Sequence, residues 1–319
     1  MNATTGFMAL FAGLILSLIG GKIFIPMLHR LNAGQSIREE GPQSHLSKAG
    51  TPTIGGVIFL AALLIGTLLT KNMTYEILIL FVSTFGFGLV GFIDDYLKVV
   101  HKRNLGFTAM QKLIAQIIIA ILLYVLVRQS DQLTTKLLVP GTGNIWDFGV
   151  FFIPFIIFVV VGTVNSVNLT DGLDGLSSSV TVIVMLFFAL VSYKLERFSI
   201  TLFCLVLTGG LLGFLHYNKY PAKVFMGDTG SLALGGAVVG VAILLNLPIL
   251  LPICCGIYFI EALSVIIQVT SFKLTGKRVF LMSPIHHHFE QKGMNEVQIV
   301  GLFSGIELVL CIISYFLIF

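Results

Sequence analysis

The sequence predicts an all-α fold: a polytopic integral membrane protein with about ten transmembrane helices, both termini outside, and cytoplasmic loops that carry the candidate active-site residues. Composition is the first reason. Of 319 residues, 56% are hydrophobic and 11% are charged, against roughly 25% charged in soluble domains. With a mean hydropathy of +0.99, this excludes an ordinary water-soluble globule and, more firmly, a disordered chain. The second reason is that the apolar residues fall into stretches near the ~20 residues needed to cross a bilayer. No internal repeat of 20–50 residues is visible, so solenoids and tandem arrays are excluded. The chain is expected to form a single transmembrane catalytic domain, residues 1–319.

The stretches are 7–28, 53–70, 77–93, 111–127, 148–166, 178–193, 198–215, 231–246, 249–270 and 298–319. The first has no basic segment before it and no small-residue cleavage site after it, so it reads as an uncleaved span. Several are only just long enough. The eighth and ninth are separated by little more than Asn246-Leu247-Pro248. Cys204, Cys254, Cys255 and Cys311 all lie inside apolar runs without metal-ligand spacing, and read as small buried hydrophobes.

The connections alternate in charge. Loops 29–52, 94–112, 165–177, 216–230 and 271–297 hold thirteen Lys and Arg residues, while the connections between them hold five. The positive-inside rule places the first set in the cytoplasm and both termini outside. Asp94, Asp95, Asp171, Asp174 and Asp228 fall on the same side. A channel or carrier more often places its ionisable groups at mid-membrane, so this one-sided cluster suggests chemistry on a cytoplasmic substrate at the membrane face.

Five polar constellations stand out. Asp94-Asp95 ends the third stretch. Adjacent helical residues point about 100° apart, so the two cannot serve one role from one position; an Asp94–Lys98 salt bridge ending the helix is the alternative to a functional pair. Asn165, Asn168, Asp171 and Asp174 recur every three residues and would share a face in a helix, whereas Gly172 and Gly175 argue for a tight loop. Carboxylates and amides without Lys or Arg suit a hard cation, a sugar or a base. In Phe225-Met-Gly-Asp-Thr-Gly-Ser231, Gly227 and Gly230 let backbone approach a ligand. Asp228 is a candidate Mg²⁺ ligand, and Thr229 or Ser231 could instead cap a helix. His286, His287 and His288 invite zinc, but neighbouring side chains diverge and helical zinc spacing is i,i+4; phosphate contact or proton transfer fits better. Lys48, near Gly50, Gly55 and Gly56 at a helix start, suits an anion, as does Lys112, and either lysine could equally be an interfacial anchor. Glu261 and Gln268 stand i,i+7 and face one side, lining a cleft or bridging helices. Mg²⁺ ligands beside phosphate-binding cations at a bilayer surface fit phosphoryl transfer to or from a lipid.

Five segments then carry a resemblance: Thr51-Pro-Thr-Ile-Gly-Gly56, Asp94-Asp-Tyr-Leu-Lys98, Asn168-Leu-Thr-Asp-Gly-Leu-Asp-Gly175, Phe225-Met-Gly-Asp-Thr-Gly-Ser231 and Pro284-Ile-His-His-His-Phe-Glu290. In this order, over nearly the whole chain, they resemble the phospho-N-acetylmuramoyl-pentapeptide transferases of the polyprenyl-phosphate N-acetylhexosamine-1-phosphate transferase superfamily. The resemblance implies a bacterial plasma-membrane enzyme with ten spans and a cytoplasmic active site, often a homodimer. It implies transfer of phospho-MurNAc-pentapeptide from UDP-MurNAc-pentapeptide to undecaprenyl phosphate, with Mg²⁺ required and UMP leaving. No nucleic-acid partner is expected. A UDP-GlcNAc-using relative and a lipid or nucleotide-sugar transporter are the alternatives. The first is disfavoured by the histidine motif and the second by the one-sided acids.

By this resemblance Asp94, Asp95, Asp228 and His286 are the catalytic set, with Asp228 the metal ligand. Lys48 and Lys112 would neutralise phosphate, and Asp94 would orient or deprotonate the lipid phosphate. Asp95 would assist or hold a lysine. Thr53, Asn168, Asp171, Asp174, Phe225, Gly227, Gln268, His287 and His288 would bind substrate. Direct attack by the lipid phosphate and a covalent aspartyl intermediate both remain open.

Overall fold

A computed structural model describes residues 2–30, 48, 50–101, 106–129 and 135–319. Arg38, Lys102 and Arg103, which contribute to the orientation argument, lie outside the described residues. Among the described residues the fold is helical apart from one hairpin. In order the helices are α1 (Ala3–Arg30), α2 (Gly56–Leu69), α3 (Tyr75–His101), α4 (Ala109–Gln129), α5 (Phe152–Thr170), α6 (Leu176–Lys194), α7 (Phe198–Asn218), α8 (Gly227–Leu244), α9 (Leu251–Cys254), α10 (Gly256–Thr275), α11 (Ile285–Gln291) and α12 (Glu296–Ile318). Between α4 and α5 a short antiparallel pair, β1 (Lys136–Leu138) and β2 (Ile145–Asp147), closes the connection.

Nine helices among the described residues are long and apolar enough to cross a membrane. This is a multi-pass membrane protein. The expected tenth span, 53–70, is represented by α2, which has only 14 residues. At 1.5 Å per residue it covers about 21 Å, less than the ~30 Å hydrocarbon core. The cause lies before it. Ile54 has φ 68°, and the Pro52–Gly56 chain pairs by backbone with the segment entering α8: Phe225 N–H donates to Pro52 O at 2.9 Å, Gly55 N–H to Phe225 O at 2.8 Å and Gly56 N–H to Met226 O at 2.9 Å. The predicted 249–270 span is also interrupted. It starts as a 3₁₀ turn and the four-residue α9, breaks at Cys255 (φ −132°, ψ 33°), and resumes as α10. At the break the Glu307 carboxylate of α12 accepts the Ile257 N–H at 2.9 Å.

Helix α8 is the centre. Its small residues are almost all buried, and it packs against α3 and α5, while α7 packs against α1 and α6. Without a hydrophobic drive between helices in lipid, close backbone approach through small residues does the work. A side-chain carbon on Gly13 of α1 would collide with the Val206 carbonyl of α7, and one on Gly209 with the Leu10 carbonyl. The outward faces of α1, α10 and α12 carry exposed Ile, Leu, Val and Phe, as lipid-facing surfaces do.

Candidate active site

The site assembles where α3 ends and α8 begins. Gly91 permits the contact, since a side-chain carbon there would meet the Asp228 carbonyl. The carboxylates of Asp94, Asp95 and Asp228 then come within 4.8 Å of one another, and this is the metal-capable cluster among the described residues. Two ammonium groups answer the three acids. Lys98 Nζ lies 2.6 Å from Asp94 and 2.8 Å from Asp228. Lys112 Nζ lies 2.8 Å from Asp228 and 3.6 Å from Asp94. Asn168, in the last turn of α5, donates to Asp228 Oδ1 and to Ser231 Oγ, both at 2.7 Å.

The neighbouring aspartates do different work. Asp95 Oδ1 accepts the Asp228 N–H at 3.2 Å. Its Oδ2 accepts the Thr229 N–H at 2.9 Å and the Thr229 hydroxyl at 2.7 Å. Both oxygens are therefore committed to the exposed amides at the start of α8, where an anion is favoured. Asp94 spends only Oδ1 on backbone, accepting the Phe107 N–H at 2.7 Å, and turns Oδ2 to the lysines. Of the three side chains Asp228 is the accessible one, 17% exposed against 2% and 4%. Gly227 has φ 69°, and a side-chain carbon there would lie 2.5 Å from Asp95 Oδ2 and 2.7 Å from Thr53 Oγ1. This explains both the glycine and the place of Thr53 at the cluster's edge. Phe225 is tied in through its backbone.

The chain is similar to known proteins. The family model for glycosyl transferase family 4 matches residues 77–246. The phospho-N-acetylmuramoyl-pentapeptide-transferase of Clostridium botulinum (strain Alaska E43 / Type E3) is 50% identical over 308 residues, 96% of this chain and 94% of that one. That of Clostridium perfringens (strain 13 / Type A) is 51% identical over 309 residues, 97% of each. The chain belongs to the phospho-N-acetylmuramoyl-pentapeptide-transferase family. The resemblance read from five motifs is thus matched along nearly the whole chain.

For this transferase family member the remaining site residues fall into separate groups. Lys48 does not reach the acid cluster as a free cation. Its Nζ lies 2.8 Å from both Asp174 and Glu296. Asp174 Oδ2 accepts the Ala222 N–H at 2.9 Å, and Glu296 also accepts the Asp174 N–H at 3.0 Å. Lys48 and Asp174, expected to bind substrate, here tie the first described loop residue, the α5–α6 turn and the start of α12 together. Burial alone would lower the Lys48 pKa, but the hydrogen bonds to Asp174 and Glu296 outweigh it and hold the ammonium above its ordinary value. Asp171 closes α5 as its C-cap. Burial pushes its carboxyl well above the usual range, and the charges of Asp228, Asp95 and Asp174 push the same way. Asn165 turns instead to Gln116 of α4, donating at 2.7 Å.

The rings of His286 and His287 lie in contact, with centroids 4.1 Å apart, so these neighbours do not diverge as expected, yet each histidine takes a different partner. His286 Nδ1 lies 3.0 Å from Glu261 Oε1, His287 Nδ1 lies 2.6 Å from Glu290 Oε2, and His288 Nδ1 accepts the Leu281 N–H at 3.2 Å. Gln268 is held by backbone: its oxygen accepts the N–H groups of Val279 and Phe280, and its amide donates to Phe280 O. It lines an open groove of about 370 Å³ with Phe272, Lys273, Arg278 and Met282. Sequence reasoning treated Lys98 only as a salt-bridge partner and did not single out Glu296. The i,i+4 spacing to Asp94 was the signal for Lys98. Glu296 offered none, since its partners lie 122 and 248 residues away.

Proposed function

We propose that the protein transfers phospho-MurNAc-pentapeptide from UDP-MurNAc-pentapeptide to undecaprenyl phosphate, releasing UMP and leaving undecaprenyl-diphospho-MurNAc-pentapeptide. One conjunction carries the reading. The chain is about half identical, nearly end to end, to proteins named for this activity, and it gathers three carboxylates and two ammonium groups at one end of the bundle. The bias of basic residues supports a cytoplasmic position for that end in a bacterial plasma membrane, and the family resemblance supports a homodimer.

The nucleophile is a lipid phosphate oxygen. A phosphate monoester has its second pKa near 6 and is mostly dianionic at pH 7, so proton removal is a small part of the barrier. The larger part is bringing a dianion against a charged pyrophosphate, which positive charge must offset. The new P–O bond forms to the sugar-linked phosphorus as the P–O bond to UMP breaks, with no other reactant consumed. Lys98 and Lys112 supply fixed positive charge beside Asp228. Asp94, with one oxygen pinned by the Phe107 amide, holds Lys98 through the other and so orients the attacking phosphate through that ammonium. Asp95 holds the start of α8, and so Asp228, in place.

The donor set fits Mg²⁺: hard carboxylate oxygens, of which those of Asp228, the most accessible of the three, would hold the ion. When bound, it supplies positive charge to the pyrophosphate oxygens. The test uses detergent-purified protein, undecaprenyl phosphate, and UDP-MurNAc-pentapeptide or UDP-GlcNAc, following UMP with and without a chelator. Mg²⁺-dependent UMP from the muramyl donor alone is expected. UMP from UDP-GlcNAc alone would overturn the substrate, and chelator-insensitive turnover would overturn the metal.

A further inference from the structure

We infer that Glu261 is a positioning residue for His286, fixing the imidazole against the Asn168–Gly175 turn. This rests on the functional reading above, in which the Asn168–Gly175 turn receives the UDP-sugar. The two side chains come from α10 and α11 and meet in a dry junction: Glu261 is 0% exposed and His286 1%. Nδ1 lies 3.0 Å from Glu261 Oε1. With Glu261 as the acceptor, Nδ1 carries the proton, and Nε2 is the ring nitrogen left for a further partner. Nε2 is buried with no protein hydrogen-bond partner. It presses on Gly172, where a side-chain carbon would collide with it. Gly172 follows Asp171 directly in the turn.

A buried polar nitrogen without a partner is costly, and this one faces the turn expected to hold substrate. The ring cannot rotate to find another partner, because Glu261 holds Nδ1 and Gly172 walls the opposite edge. The ring thereby fixes the backbone of that turn at Gly172. The same logic governs a carboxylate that sets the tautomer of an active histidine. Glu261 Oε2 also lacks a partner, so the carboxylate is not retained here for a second structural tie through that oxygen.

The test is a double-mutant cycle on UMP release, with thermal unfolding measured on the same samples. Glu261→Leu is expected to lower kcat on the order of 10²-fold, in the range of one lost proton-handling or orienting group, with KM for undecaprenyl phosphate unchanged. In a His286→Ala background the same change should add almost nothing, since its only route is through the ring. Glu261→Gln, whose oxygen can still accept from Nδ1–H, should recover most of the rate. If Glu261→Leu does not fold, Glu261→Asp runs the cycle, keeping the charge but losing the reach. Losses that multiply in the double variant, or full activity of Glu261→Leu, would overturn the inference in an enzyme otherwise shown to be active. A wild-type protein that releases no UMP would overturn the functional reading instead.

Discussion

Asp94 and Asp95 are adjacent, equally buried acids, and exchanging each for asparagine should separate chemistry from architecture. In Asp95→Asn the remaining oxygen can serve the Thr229 N–H and hydroxyl, which places the new NH₂ against the Asp228 N–H. One amide at the start of α8 is then unsatisfied, at about 1–3 kcal/mol. The loss of an anion there adds up to about 1 kcal/mol, giving about 1–4 kcal/mol in all. At the roughly 2–4 °C per kcal/mol of mid-sized domains, Tm should fall by about 2 °C or more. In Asp94→Asn the oxygen keeps the Phe107 N–H, Lys98 and Lys112 keep Asp228, and repulsion among three acids is relieved. Its stability should stay within about 1 kcal/mol of wild type while UMP release falls on the order of 10²-fold or more. Helical circular dichroism on heating and turnover, both in one detergent, make the comparison. An Asp95→Asn protein as stable as wild type, or an Asp94→Asn protein less stable than it, would refute the division of labour.

Lys48→Met should strand two largely buried carboxylates, costing about 3–5 kcal/mol, and Glu296→Gln added to it should restore part of that loss in the same melting assay. Gly227→Ala should cost about 1–3 kcal/mol in backbone strain and lower activity by displacing Asp95 or Thr53, read as a joint fall in Tm and kcat. Because the folded-state pKa of Asp171 is raised, the native chain binds its proton more tightly than the unfolded chain. That stabilising contribution is full below the ordinary aspartate pKa and is lost as pH rises through the raised value. In chelator, Asp171→Asn should flatten this decline of Tm with pH; an unchanged slope would assign it to other groups.

The membrane class and the chemistry-bearing residues were legible because each is a local property. Apolar runs mark spans, and Asp94-Asp95, Asn168 and Asp228 each stand in a short segment. Which aspartate caps a helix was not legible, because the partner of Asp95 is the backbone of residues 228 and 229. The same limit hid Glu296, and it left Glu261 and Gln268 undecided between lining a cleft and bridging helices. Period-seven spacing correctly put those two on one face, but their partners, His286 and the 279–280 backbone, come from a separate loop. At α2 the apolar pattern began three residues ahead of the helix for a physical reason: the backbone of Pro52 and Gly55 is paired with Phe225 rather than wound into a helix.

The position of the acids along α3 also sets a height. From Tyr75, whose hydroxyl donates to Leu126 O at the far end, to Asp94 is about 28 Å of helical rise, close to the ~30 Å hydrocarbon thickness of an average bilayer. An enzyme that joins a lipid phosphate to a water-borne donor then works at the level where headgroup phosphorus already lies, so neither substrate has to leave its own phase. The same ruler makes the reaction sensitive to the host membrane. In bilayers of longer acyl chains the protein must tilt or thin its surroundings at some cost, and turnover should pass through a maximum as lipid length is varied.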